Sequence, residues 1–186
     1  MKQSEELIAW LIKQDVTTVE TWLRNVWEGR ESVPKDFYWP HLCAAIEVLA
    51  RSGNGPRYYE RPDLAWAKVA VSIYQYLIDQ ADPLTRMALE DRMMHLKAHL
   101  IRCFGNVPGD SMLDVDQIVE WFFQNLHLSF EDVEKISSWE SLTTEELLRL
   151  RYIKNRLSIL RFLADDHLII PDERLRRWLM TQEKLP

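Results

Sequence analysis

Apolar residues recur along most of this chain at spacings of three and four, which is the period of an α-helix with one buried face. The clearest case is 17–28, where Val19, Trp22, Leu23, Val26 and Trp27 form one stripe on an otherwise polar segment. Between 64 and 78 the pattern changes. Leu64, Ala65, Trp66, Val69, Ala70, Val71, Ile73, Tyr74, Tyr76, Leu77 and Ile78 leave only Lys68, Ser72, Gln75 and Asp79 as a narrow polar strip. A helix apolar on nearly every side is buried by several neighbours, so this one belongs at the centre. The segment 41–50 is similar, with Glu47 as its single charge.

Helical punctuation agrees with the periodicity. Thr17 with Glu20 and Thr143 with Glu146 have capping-box spacing. Pro62, Pro83 and Pro171 suit first turns, and Gly29, Gly53 and Gly105 follow apolar segments where a left-handed cap is expected. The resulting helices lie near 3–14, 17–28, 37–51, 62–80, 83–104, 113–126, 130–137, 144–164 and 171–183. No segment alternates with the period of a strand. The expected fold is all-α: an irregular multi-helix bundle of about eight or nine helices. The short Asp82-Pro83 link predicts a long antiparallel αα-hairpin. The 186 residues are expected to form a single helical domain, 1–186, with 105–113 as a subdomain joint.

Composition narrows the class. With 47% hydrophobic residues and five glycines the chain is neither disordered nor loop-rich. Two cysteines, Cys43 and Cys103, form no CxxC pair, and reduced thiols in the cytoplasm are the expected state. The apolar run Leu7 to Ile12 is too short for a signal peptide, and no run approaches a membrane span. Residues 52–55 lack the Gly-Lys-Ser/Thr of a phosphate loop, and no GxSxG elbow occurs. No cofactor is expected.

Charge changes the picture most. The net charge of −6 is distributed unevenly: −1 over 1–109, −9 over 110–146 and +4 over 147–186. That balance argues against nucleic acid, whose phosphates call for a basic surface. The acidic block is Asp110, Asp114, Asp116, Glu120, Glu131, Asp132, Glu134, Glu140, Glu145 and Glu146. Helix first turns and pairing with Arg149 account for several of these carboxylates. As a whole the block is a candidate docking surface for a basic protein, steered by charge. Trp121 and Trp139 flank it as apolar anchors, and Tyr58 with Tyr59, between Arg57 and Arg61, has the composition of a second contact. In Trp121-Phe122-Phe123 the three consecutive rings cannot all face one core. The basic residues Arg149, Arg151, Lys154, Arg156 and Arg161 are split around their helix, and pairing with the acidic block or with Asp165 and Asp166 is expected.

Three functions follow from these features. The first is an immunity-type inhibitor, a non-catalytic protein that neutralises a basic, nuclease-like bacterial toxin through Asp110, Asp114, Asp116, Glu120, Trp121, Glu131, Asp132, Glu134 and Trp139. The second is a helical adaptor assembling through its aromatic loops, Tyr58 and Tyr59 included, as a homodimer. The third is a metal-dependent enzyme using His95 and His99, four apart on one helix with Asp91 before and Cys103 after. Arg92 and Arg102 on that face would repel a cation.

Overall fold

A computed structural model describes residues 3–52, 63–136 and 138–186. Among these residues the chain is all-α, with nine α-helices and no strand. They are α1 (Ser4–Leu11), α2 (Val16–Trp27), α3 (Trp39–Ser52), α4 (Leu64–Gln80), α5 (Pro83–Phe104), α6 (Val115–Gln124), α7 (Phe130–Lys135), α8 (Thr144–Asp165) and α9 (Glu173–Thr181). Short 3₁₀ turns occupy Trp139–Ser141 and Gln182–Lys184. None of the described helices is long and apolar enough to cross a membrane. The chain divides into two compact units, Met1–Arg86 and Met87–Pro186.

The first unit is built on α4. Trp66, Ala67, Val69, Ala70, Ile73, Tyr74 and Ile78 are buried, while Lys68, Ser72, Gln75 and Asp79 remain exposed as the expected strip. Its main helical partner is α3, which supplies Leu42, Ile46 and Ala50, and α2 packs beside it through Val19 and Leu23. Only helices with such small and aliphatic faces approach closely over several turns. The one charge on this face of α3, Glu47, is buried and accepts a hydrogen bond from the Tyr74 hydroxyl. At one edge Trp22, Trp27, Phe37, Trp39 and Tyr76 pack ring against ring, with Trp27 stacked on Tyr76 at 5.0 Å and Phe37 edge-on to Trp39 at 4.9 Å.

The cap of α2 differs from expectation. Asp15, not Thr17, caps it, accepting from the Thr18 backbone and hydroxyl. A carboxylate two residues earlier caps the orphan amides and adds its charge to the helix dipole. The Thr143–Glu146 box at the start of α8 is formed as expected. Gly29 and Gly105 adopt the left-handed conformation after α2 and α5 (φ 73° and 89°). Pro83 opens α5, but Pro171 stands outside α9, which Asp172 caps. Gly53 and Pro62 lie outside the described residues.

The second unit holds most of α5 with α6 to α9. The apolar stripe of α8, Leu150, Ile153, Leu157, Leu160 and Leu163, is buried, as are Met87, Met94 and Leu100 of α5, Phe122 of α6 and Trp178 of α9. Trp178 meets Phe130 edge-on at 5.5 Å. The segment 105–113 lies within this unit and is tied internally. Asp114 accepts from the backbone amides of Gly109, Asp116 and Gln117 and from the Gln117 side chain, and Asn106 accepts from the Val115 amide.

Candidate functional site

The second unit assigns much of the acidic block to its own backbone. Asp110 accepts from the amides of Met112 and Leu113 at 2.7 and 3.0 Å. Asp114 is buried in the turn just described, and these hydrogen bonds, that from Gly109 foremost, hold its carboxyl below the ordinary 3.8. Asp132 closes a capping box with Ser129, and Glu146 closes another with Thr143. Both carboxyls are held low by these bonds, with Ser129 and Thr143 as the chief causes. Glu145 pairs with Arg149 as its spacing predicts. Four of the ten carboxylates therefore terminate helices and turns.

Of the exposed carboxylates of α6 and α7, Glu131 borders a groove of about 690 Å³, together with Asp172 and Glu173 at the start of α9. Its walls include Phe123, Phe130 and Trp178, with Glu131 and Arg177 at the rim. Asp116, Glu120 and Phe123 follow one another at i, i+4 and i+7, so both carboxylates share the face of α6 that reaches the groove. Glu120 also accepts from Gln124 on the exposed surface. On α7, Glu131 and Glu134 are one turn apart and both lie near the Arg177 guanidinium, at 3.8 and 3.7 Å. The same guanidinium sits over the Phe130 ring, 4.0 Å from its centroid, and Arg174 lies likewise over Phe123. Two carboxylates and an aromatic face thus hold one cation at a groove of mixed aromatic and charged lining. At the rim, burial and the charges of Arg156 and Arg149 hold His127 below its ordinary 6.5.

The aromatic candidates separate. Phe122 is buried, Phe123 faces the groove and Trp121 is half-buried beneath Arg156, whose guanidinium stands 4.5 Å from its ring. Three consecutive helical positions point 100° apart, so each ring meets a different environment. Trp139 is half-buried at the start of its 3₁₀ turn. Tyr58 and Tyr59 lie outside the described residues.

A second polar assembly is buried. Arg156, 2% exposed, places its Nε 3.7 Å from Asp91 Oδ1 and its Nη2 3.9 Å from Glu90 Oε2. Its Nη1 donates to the carbonyl of Asn125, the residue that caps α6 at its C-terminus. Burial pushes the Asp91 carboxyl up, against the opposing charges of His95 and Arg156, and it pulls the Arg156 guanidinium down from its ordinary value. Arg156 was expected to pair with the acidic block or with Asp165 and Asp166; it is Arg102 that pairs with Asp166, at 2.9 Å. The reason is placement. Arg156 occupies the apolar stripe of α8 between Ile153 and Leu160, so only carboxylates that also face the core reach it. That placement is readable in the sequence: Arg156 is three residues after Ile153 and four before Leu160, and Glu90 and Asp91 stand amid Met87, Met93 and Met94.

The histidines of α5 divide into two pairings. His95 lies 3.7 Å from Asp91, and the His99 ring is 3.8 Å from the Cys103 sulfur. No three His, Cys, Asp or Glu side chains among the described residues converge as metal ligands. Burial raises the Cys103 thiol, against the pull of Arg102, which is opposite to what activates a nucleophile. Comparison of the chain with protein-family models, with curated proteins and with solved structures finds no match.

Proposed function

We propose that this chain is a non-catalytic protein-binding protein that captures a basic protein through the groove beside α6 and α7. Its most concrete form is an immunity-type inhibitor of a nuclease-like bacterial toxin. One observation carries the reading. Arg177, 56% exposed on its side chain, already lies between Glu131 and Glu134 and over Phe130, as a partner's lysine or arginine would. A partner's cation displaces Arg177, and an apolar side chain next to it enters the groove. Asp116 and Glu120 extend the negative field along α6 and speed the encounter. Trp121 and Trp139, both half-buried, contribute less than the groove walls. Asp110, Asp114 and Asp132 contribute by shaping the turns and caps that present the face.

The test uses charge reversal confined to carboxylates that cap nothing. Proteins retained by the chain from its source cells are identified, the retained partner is purified, and its affinity is measured by calorimetry at low and moderate salt. A basic partner is expected, bound more weakly as salt rises. E131K/E134K should weaken binding by on the order of 2–5 kcal/mol, the coupling of desolvated charge pairs, whereas R177A should leave it intact or tighten it. An acidic partner, or one indifferent to E131K/E134K, would defeat the proposal.

A further inference from the structure

A different face of the second unit carries the most exposed large apolar side chains among the described residues. Ile170 is 90% exposed and Met180 80%, against 54% for the next, Tyr38. Met180 and Pro171, which follows Ile170, line a depression of about 600 Å³ between the end of α8 and α9. An isolated apolar residue on a surface needs no explanation, but Met180 bordering this concavity, with Ile170 adjacent in sequence to its lining residue Pro171, marks a contact surface. Four charged residues line the same depression: Arg161 and Asp165 from α8, Arg176 from α9, and Glu183 from the 3₁₀ turn that follows it. Arg161 is tied down by donating to the Leu179 carbonyl. Arg176, Asp165 and Glu183 are exposed.

The order of charges indicates what fits there. Arg176, Met180 and Glu183 stand at i, i+4 and i+7, so they form one ridge along α9 and its 3₁₀ extension. The cation lies about 6 Å to one side of Met180 along the axis and the anion about 5 Å to the other. A uniformly acidic or basic partner would match one of these charges and clash with the other. The same ridge rotated by 180° matches both.

We propose that this face is a two-fold interface between two copies of this chain. The two α9 helices run antiparallel, Met180 meets its counterpart near the axis, and Arg176 of each copy faces Glu183 of the other. Such isologous contacts are the usual form of homodimer. Each Met180 is covered by the other copy, and Ile170 with Pro171 fills the flank.

Sedimentation equilibrium of the full chain across on the order of 1–100 µM tests this, because a reversible dimer is concentration-dependent. The mass should rise from 22.1 kDa toward twice that value. M180E should weaken the dimer at least about tenfold, by setting two carboxylates against each other at the axis. R176E should do the same, and R176E/E183R should restore affinity to within about threefold of the starting protein, since the exchange recreates both pairs. Circular dichroism should be unchanged in all three, because the altered side chains are exposed. A monomer throughout the range overturns the proposal, as does a double variant no better than R176E. If M180E left the mass unchanged but abolished capture of the basic partner, the face would belong to that partner instead.

Discussion

The two units solve the same problem, a helix buried on most of its surface, with different chemistry. In the first, α4 is buried by aliphatic and aromatic neighbours, and the Tyr74–Glu47 hydrogen bond is a buried polar contact among them. In the second, the stripe of α8 carries Arg156 among its leucines and isoleucines, facing Glu90 and Asp91. Non-directional burial dominates the first, with Glu47 as its one buried carboxylate among the described residues. The second depends on charges whose desolvation is offset only while all partners are present. The lesson is that a unit with the same helical pattern can still be electrostatically conditional.

The sharpest way to break this contrast is to remove Arg156. R156A removes the guanidinium that faces two buried carboxylates and the donor that fixes the end of α6, so a loss of about 3–5 kcal/mol is expected at neutral pH. Adding E90Q and D91N should recover a substantial part of it. Denaturant unfolding of the single and triple variants measures both. If the single variant matched the starting protein, the second unit would be as purely apolar as the first.

The matching experiment in the first unit is I73A. Ile73 is fully buried on α4, and its truncation should cost about 2–4 kcal/mol. No titrating group is involved, so the cost should be the same at pH 7 and pH 5 in calorimetric unfolding. A cost that changed across that interval would mean the first unit is conditional too.

The smallest effect expected is at Asp114. Its folded-state carboxyl is held below the ordinary 3.8, so its charge contributes stability that is present above that value and lost as pH falls through the lower folded value. D114N keeps an oxygen acceptor and loses the charge. Its melting temperature should lie slightly below that of the starting protein at neutral pH, and the gap should close in acid as the native carboxyl is protonated. A gap that persisted there would assign the effect to shape rather than charge.

Much of this was readable beforehand where a helix has a simple pattern. The strip Lys68, Ser72, Gln75 and Asp79 predicted the exposed edge of α4, and Thr143 with Glu146 predicted the start of α8, because both depend on spacing within one helix. The acidic block shows the limit. Its ten carboxylates look equivalent in one dimension, yet Asp110, Asp114, Asp132 and Glu146 are bound to nearby backbone, while Glu131 and Glu134 reach Arg177 more than forty residues on. Arg156 shares the charge of its basic neighbours but follows the apolar period of α8. Its place in the apolar stripe was the better signal.

By itself the sequence determined the all-α character, the approximate extent of the helices, the burial of α4 and the uneven charge. These follow from the 3.6-residue period and from caps that operate over a few residues. Tertiary structure decided which charges are spent and which remain. It set Arg156 against Glu90 and Asp91, drew Arg177 onto Glu131, Glu134 and Phe130, and left Met180 and Ile170 uncovered. The physical reason is that a charge takes its value from whatever surrounds it in space, and neighbours 43 to 66 residues away in sequence cannot be inferred from local spacing.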